Sequence, residues 1–130
     1  MIILNPYSNY VLHKDDIACV KSICVIDCSW NKAERSLRLP KYLHTGYVRR
    51  IPALLAGNPI NYSRLGRLST VEALAGCYYI LGLKQLAKEI LNKFKWGHTF
   101  LELNLNLLED YSSAKNREEI IKLEFDYFGR

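Results

Sequence analysis

One segment of the sequence is apolar at every position, and it constrains the fold more than any other part. Ile23–Ile26 reads Ile-Cys-Val-Ile, so a strand here is expected to be buried on both faces, as strands of parallel sheets are. Asp27-Cys28-Ser29-Trp30 follows directly. Because open α/β sheets place the ligand crevice beyond the carboxyl ends of their strands, this polar segment predicts a binding site.

The rest of the first half has the order of a parallel sheet. Met1–Leu4 predicts a short strand, and His13–Val20 predicts two helical turns before the strand at Ile23–Ile26. Ile51–Ala56, with a proline near its start, predicts a further strand that ends in Gly57-Asn58-Pro59. We expect the end of that strand to face the end of the first.

From Ser69 onward the hydrophobic period becomes helical. Ser69 and Glu72 form a capping box that starts a helix, and Gly82 ends it. Further helices are predicted over 83–94, about 99–111 and 118–128. The positions expected to face the core are Val71, Leu74, Cys77, Tyr78 and Leu81, then Leu83, Leu86, Ala87, Ile90, Leu91 and Phe94, then Phe100, Leu103, Leu107, Leu108 and Tyr111.

These elements predict an α/β fold in one compact unit. Residues 1–68 form a half built on a parallel sheet, and residues 69–130 form an α-helical half. A chain of 130 residues, of which 49% are hydrophobic, buries one core and has little room for two. The cleft between the two halves is the expected ligand position.

Positive charge is concentrated in the first half. Residues 1–70 carry ten Lys and Arg against four Asp and Glu, whereas residues 71–130 carry eight against nine. This excess indicates a polyanionic partner, although a solvated basic surface explains it equally well. Between residues 32 and 67, Glu34 is the only acidic residue. The basic residues of that interval are Lys32, Arg35, Arg38, Lys41, Arg49, Arg50, Arg64 and Arg67.

The cysteines and histidines do not form a catalytic or metal-binding pattern. Without a CxxC pair or a histidine at zinc spacing, buried free thiols are expected rather than a metal site or disulfides. The histidines have no nucleophile at readable spacing and are expected at the surface. The residues concerned are Cys19, Cys24, Cys28 and Cys77, and His13, His44 and His98.

No run in the sequence reaches the roughly 20 apolar residues of a membrane-spanning helix. The first four residues are too short and too uncharged for a signal peptide. We therefore expect a soluble, cytoplasmic protein without a membrane partner.

Asp27 and Trp30 together suit a cationic ligand. The carboxylate attracts a sulfonium or ammonium group, and the indole face adds a cation–π contact. Equally, Asp27 can cap a turn and Trp30 can belong to the core.

Four motifs in order carry a family resemblance. They are VIDCSWN at 25–31, IPALLAGNPINY at 51–62, LSTVEALA at 68–75 and FKWGHTFLELNLNLL at 94–108. In these motifs and their spacing the chain resembles the ribosomal RNA aminocarboxypropyltransferases of archaeal type, over nearly its whole length.

The resemblance implies a parallel sheet with a SPOUT-like deep trefoil knot, followed by a helical half, in a monomer. It implies S-adenosylmethionine as the cofactor and small-subunit rRNA, or the pre-ribosomal subunit, as the partner. The implied reaction transfers the 3-amino-3-carboxypropyl group to N3 of a uridine or methylated pseudouridine during ribosome biogenesis. The alternatives are a knotted RNA methyltransferase that uses the same cofactor and a non-catalytic RNA-binding module.

The resemblance also implies roles for individual residues. Asp27 would orient the cationic cofactor, while Trp30 and Ala33 would pack around its methyl group, so Asp27 and Trp30 are the candidate catalytic residues. The other implied cofactor contacts are Cys28, Leu54, Asn58, Ser69 and Thr70. The implied RNA contacts are Lys32, Arg35, Arg38, Arg49, Arg50, Arg64 and Arg67.

Two departures from the family pattern stand out. Ser63 and Leu65 occupy positions where the family prefers glycine and proline. Family members also carry a segment before the motif at Leu4-Asn5-Pro6, and we expect that this chain lacks it. Its loss would expose a sheet edge and weaken cofactor and RNA binding.

Overall fold

A small parallel sheet forms the first half of the chain. The computed structural model describes residues 2–19, 23–25 and 47–129. Its strands are β1 (Ile2–Leu4), β2 (Ile23–Val25) and β3 (Tyr47–Arg49), in the order β2-β1-β3 and all parallel. Every residue of the middle strand, β1, is buried. The strand predicted at the start of the chain is thus confirmed, and the one predicted at Ile23–Ile26 is confirmed over its first three residues.

The connection between β1 and β2 contains a 3-10 helix, Lys14–Cys19. Helical turns were predicted here, and the tighter form has a local cause. Asp16 N donates to His13 O at 2.9 Å, and the Asp16 side chain accepts from His13 N at 3.0 Å. A three-residue spacing of hydrogen bonds defines the 3-10 form.

The prediction of a strand at Ile51–Ala56 is wrong. The strand lies earlier, at β3, and residues 51–58 run on without joining the sheet. Pro52 has no N–H to give to a sheet ladder. The neighbouring backbone groups bond to side chains of helices instead, as described below.

Four helices follow, as the periodicity predicted. They are α1 (Thr70–Ile80), α2 (Lys84–Leu91), α3 (Gly97–Ser113) and α4 (Arg117–Phe128). The predicted capping box at Ser69 and Glu72 is formed in both directions. Gly82, at φ 93°, follows the end of α1, and Asn116 caps α4 by accepting from Glu119 N at 2.9 Å.

The core lies between these helices and the sheet. Tyr79, Phe100 and Tyr111 are the largest of its fully buried side chains. The prediction of buried positions in the second helix is only partly correct. The helix α2 is short, and Ala87 and Leu91 are its only buried residues. The remaining positions predicted as core on and around it are exposed or half-buried, namely Leu83, Leu86, Ile90 and Phe94.

His13 corrects another expectation, since it is buried rather than at the surface. Its Nδ1 accepts from Asp15 N, so Nε2 carries the proton and donates to Ala114 O at 2.7 Å. The imidazole thereby ties the 3-10 helix to the end of α3. His98 is exposed as predicted, and His44 lies outside the described residues.

Cys77 is a buried free thiol, as predicted. Burial raises the pKa of this thiol to about 12. Within residues 2–19, 23–25 and 47–129, His, Cys, Asp and Glu side chains form no group able to hold a metal ion. No helix in those ranges is long and apolar enough to span a membrane.

Candidate functional site

Residues 51–58, here called the clamped segment, run between α1, α3 and α4. On one edge their backbone groups bond to helix side chains. Ala53 N donates to Glu124 Oε2 at 2.8 Å, and the Tyr111 hydroxyl donates to Ala53 O at 2.8 Å. Leu55 N donates to Asn104 Oδ1 at 2.7 Å, and Asn104 Nδ2 donates to Leu55 O at 2.8 Å. These side chains replace the neighbouring strand that a sheet would supply.

The opposite edge of the clamped segment bonds to a returning loop. Gly66 N donates to Leu54 O at 3.1 Å, and Ser63 N donates to Ala56 O at 2.6 Å. Ser63 has a φ of 59°, in the left-handed region that favours glycine. This is one of the two positions where the sequence departs from the family pattern, so the loop keeps a glycine-like turn without the glycine.

Two glycines let the clamped segment approach the helices closely. A Cβ on Gly57 would lie 2.5 Å from the backbone nitrogen of Phe100 in α3. A Cβ on Gly76 in α1 would lie 2.8 Å from Cδ1 of Ile51. The Gly57 distance is to backbone that cannot move aside, so packing requires this glycine, whereas at Gly76 the neighbouring atoms are side-chain ends that would have to shift.

The carboxylate of Glu72 joins the clamped segment to the start of α1. Glu72 is fully buried and accepts from Gly57 N at 2.6 Å, Asn58 Nδ2 at 2.6 Å and Ser69 N at 2.9 Å. A buried carboxylate is stabilised by such donors and by a helix N-terminus. Because Glu72 fills this position, α1 is poorly suited to bind a separate anion there.

Two of the predicted cofactor residues, Asn58 and Ser69, meet at the Glu72 carboxylate, and Leu54 and Thr70 belong to the same two segments. Leu54 and Asn58 are buried in the clamped segment, Ser69 is half-buried and Thr70 is exposed. Both polar atoms of the Asn58 side chain already have partners within the protein. Nδ2 donates to Glu72, and Oδ1 accepts from Asn61 N at 3.1 Å. The other predicted cofactor residues lie outside the described ranges, and they are Asp27, Cys28, Trp30 and Ala33.

The predicted RNA-binding arginines divide into two kinds. Arg50 forms a bidentate ion pair with Glu124, both N–O distances being 2.7 Å, and this hydrogen bonding raises the pKa of the guanidinium above its ordinary value. Arg49 donates to the buried Asp16 at 3.3 Å. Arg64 and Arg67 are exposed on the returning loop. Lys32, Arg35 and Arg38 lie outside the described residues.

The sequence analysis predicted that Tyr111 faces the core but missed the hydrogen bonds by which helix side chains hold the clamped segment, although Asn104 left a signal. Asn104 lies four residues after Phe100 and three before Leu107, on the predicted inner face of α3. A polar residue on such a face needs a buried partner. Nothing in the local pattern marked Glu124 in the same way.

A parallel sheet that leads into four helices, with an ordered segment buried between them, defines the class as α/β. Within that class, the family described as "Ribosome biogenesis protein, C-terminal" matches residues 2–128. The chain belongs to this family, which confirms the resemblance found in its motifs.

The relatives agree with this assignment. The chain is 43% identical over 126 residues to the 16S rRNA aminocarboxypropyltransferase of Methanosarcina mazei, covering 97% of this chain and 72% of the relative. It is 44% identical over 130 residues to the enzyme of the same name from Thermoplasma volcanium, covering 98% and 76%.

A solved structure agrees as well. The SAM-dependent rRNA:acp-transferase Tsr3 from Vulcanisaeta distributa superposes with a TM-score of 0.76 at 30% identity. The match covers 99% of this chain and 77% of the other.

Proposed function

We propose that this chain is an S-adenosylmethionine-dependent aminocarboxypropyltransferase that modifies small-subunit rRNA during ribosome biogenesis. The observation that carries the proposal is the match over almost the whole chain to relatives named for this activity. The solved neighbour at 30% identity is named for the same cofactor and the same transferred group. The proposed target is N3 of a uridine or methylated pseudouridine.

The described part of the site fits such a cofactor. The side chain of Leu54 is buried in the core and anchors the clamped segment from behind, and the backbone at Gly57 is held by the buried Glu72. Ser69 and Thr70 place two hydroxyl groups at the start of α1, beside that backbone. Apolar surface with a few fixed polar groups is the usual lining of a site for an adenosine-sized ligand.

When bound, the cofactor supplies a sulfonium whose neighbouring carbons are electrophilic. Transfer joins N3 of the base to the carbon on the amino-acid side of the sulfur, breaks that carbon–sulfur bond and leaves methylthioadenosine. The N3 proton is lost to solvent. What the protein must do is choose which carbon meets the RNA.

We assign this choice to the Asp27–Trp30 segment, as the family resemblance implies. Asp27 would orient the cation, and Trp30 with Ala33 would cover the methyl group, while Cys28 would line the same pocket. The clamped segment and the start of α1 would hold the adenosine. Asn58 acts in this scheme through Glu72 and the loop backbone, because its amide is already bonded within the protein.

The phosphate contacts of the RNA in this proposal are Arg64 and Arg67, together with Lys32, Arg35 and Arg38 as the family resemblance implies. Arg49 and Arg50 have internal carboxylate partners, so we assign them to holding β3 and the clamped segment in place rather than to phosphate binding. The knotted sheet, the monomeric state and the cytoplasmic location belong to the same proposal.

A dual-label transfer assay tests the function. The protein is incubated with unmodified small-subunit RNA and cofactor labelled either in the carboxypropyl carbons or in the methyl carbon. We expect label in the RNA only from the carboxypropyl carbons. Label only from the methyl carbon would make the protein a methyltransferase, and no transfer with no calorimetric heat of cofactor binding would make it a non-catalytic module.

A further inference from the structure

Two exposed tyrosines flank one arginine beside the sheet. Tyr10 is 64% exposed and Tyr47 is 50% exposed. The guanidinium carbon of Arg49 lies 5.6 Å from the centre of the Tyr10 ring and 5.5 Å from that of Tyr47. These distances are within the range of cation–π interactions. We call these three residues the tyrosine–arginine surface.

The arginine in this surface is fixed from behind. Its Nε donates to Asp16 Oδ2 at 3.3 Å, and its Nη1 donates to Val48 O at 2.9 Å. Asp16 is buried and also pairs with Arg117 of α4. With Nε and Nη1 bonded within the protein, Arg49 supports the two rings more readily than it reaches out to a phosphate.

The tyrosines are fixed through their backbones. Tyr47 and Arg49 are two residues apart in β3, so their side chains leave the same face of the strand. Arg50 N donates to Tyr10 O at 2.9 Å, and Ser8 Oγ accepts from Tyr10 N at 3.1 Å. The backbone of both tyrosines is therefore held by hydrogen bonds, while their rings are exposed to solvent.

Ordered, exposed aromatic rings beside a cation are the chemistry that recognises unpaired nucleobases. Such bases stack on tyrosine faces, and stacking contributes about 1–3 kcal/mol per base. The sheet half of the chain also has the excess of positive charge, ten Lys and Arg against four Asp and Glu. A protein partner would use tyrosines too, but that charge excess favours an RNA.

We propose that Tyr10 and Tyr47 are stacking platforms for unpaired bases of the RNA substrate, with Arg49 holding the two rings in place. This rests on the proposed function for the identity of the RNA. It gives the protein a contact with bases in addition to the phosphate contacts assigned to Arg64 and Arg67.

The test measures binding of a short unstructured RNA and of a duplex of the same length by fluorescence anisotropy. Tyr10→Leu and Tyr47→Leu keep apolar bulk over Arg49 but remove the aromatic face, whereas Tyr10→Phe and Tyr47→Phe keep that face. Phe125→Leu is the matched control, because Phe125 is 63% exposed on α4. Thermal unfolding followed by circular dichroism checks that each variant is folded.

We expect each leucine variant to bind the single strand roughly fivefold to 150-fold more weakly, with an unchanged dependence on salt. The phenylalanine variants and Phe125→Leu should bind as the unsubstituted protein does. The proposal would be overturned if a variant that carries both Tyr10→Leu and Tyr47→Leu bound the single strand with unchanged affinity. It would also be overturned if the leucine variants lost affinity equally for the single strand and the duplex. Photocrosslinking with a bromouridine-containing RNA gives a second reading, and crosslinks that avoid both tyrosines would also overturn it.

The transfer assay separates this inference from the function on which it rests. If the unsubstituted protein transfers no carboxypropyl label, the proposed function fails whatever the tyrosines do. If it transfers label and the leucine variants keep its KM for RNA, only the stacking proposal fails. If the leucine variants raise KM and leave cofactor affinity unchanged, both stand.

Discussion

Asn104 pairs with Leu55 as a residue of a neighbouring β-strand would. Its carboxamide accepts from Leu55 N and donates to Leu55 O, and its amide nitrogen also donates to the carbonyl of Phe100. A buried side chain of α3 thereby completes the hydrogen bonds of a backbone that has left the sheet. This pairing holds the clamped segment against α3.

Replacing Asn104 by alanine should lower the free energy of unfolding by about 2–6 kcal/mol. The substitution leaves both polar backbone groups of Leu55 without their partner, and each such group costs about 1–3 kcal/mol. Urea denaturation measures the change. Asn106→Ala, an exposed position of the same helix, is the control and should change stability by less than about 0.5 kcal/mol. Equal effects of the two substitutions would contradict the pairing.

Replacing Glu72 by glutamine should weaken cofactor binding as well as stability. Both carboxylate oxygens accept hydrogen bonds, so an NH₂ group on either side would face another donor, at Gly57 on one side or at Asn58 and Ser69 on the other. We expect a loss of about 1–3 kcal/mol in unfolding free energy and a higher Kd for S-adenosylmethionine by calorimetry. Glu102→Gln, exposed on α3, should change neither quantity. Unchanged cofactor affinity in Glu72→Gln would remove this residue from the site.

Replacing Ser63 by glycine should stabilise the protein. The left-handed conformation costs a non-glycine residue about 1–2 kcal/mol, and glycine removes this strain from the folded state. The greater freedom of glycine in the unfolded chain lowers the gain in stability by about 0.5–1 kcal/mol. The expected gain is therefore about 0.5 kcal/mol in urea denaturation. Ser63→Ala keeps the strain and should give no gain, so a gain of the same size there would show that φ is not the cause.

Stability should fall above pH 9 in a way that depends on Cys77. Burial raises the pKa of this thiol from 9.0 to about 12, so the folded state keeps a proton that the unfolded chain loses. The resulting stabilisation is complete below pH 9 and is lost as the pH rises from 9 to 12, at no more than about 1.4 kcal/mol per pH unit. Comparing denaturation of the unsubstituted protein and Cys77→Ala across this range isolates the contribution. Parallel curves for the two proteins would refute it.

Replacing Trp30 by alanine should reduce carboxypropyl transfer more than it reduces stability. In the proposed site the indole orients the cofactor in addition to packing against it. Transfer rates and melting temperatures are compared with those of Trp96→Ala, where a half-buried indole packs at a tilt against Phe94 with ring centres 5.1 Å apart. Proportional losses of rate and stability in Trp30→Ala would instead assign Trp30 to the core.

The elements that were predicted correctly depend on residues close together in the sequence. The capping box at Ser69 and Glu72 spans three residues, and the hydrophobic stripes of the helices repeat within one or two turns. The first strand likewise followed from an apolar run and the turn residues after it. The family followed from four motifs in order, and the matched relatives confirm it. Asp27 and Trp30 remain predictions of the sequence, since they lie outside the described residues.

Only the tertiary structure decided how residues 51–58 are held. The hydrogen bonds that hold them join residues 49, 58 and 71 positions apart, to Asn104, Tyr111 and Glu124. The same holds for the burial of His13 against Ala114, 101 residues away. The sequence by itself determined the helices, the capping box of α1, the first strands and the family, because short-range patterns specify them. Which side chain satisfies a buried backbone group is decided when distant segments pack, because no local pattern records that contact.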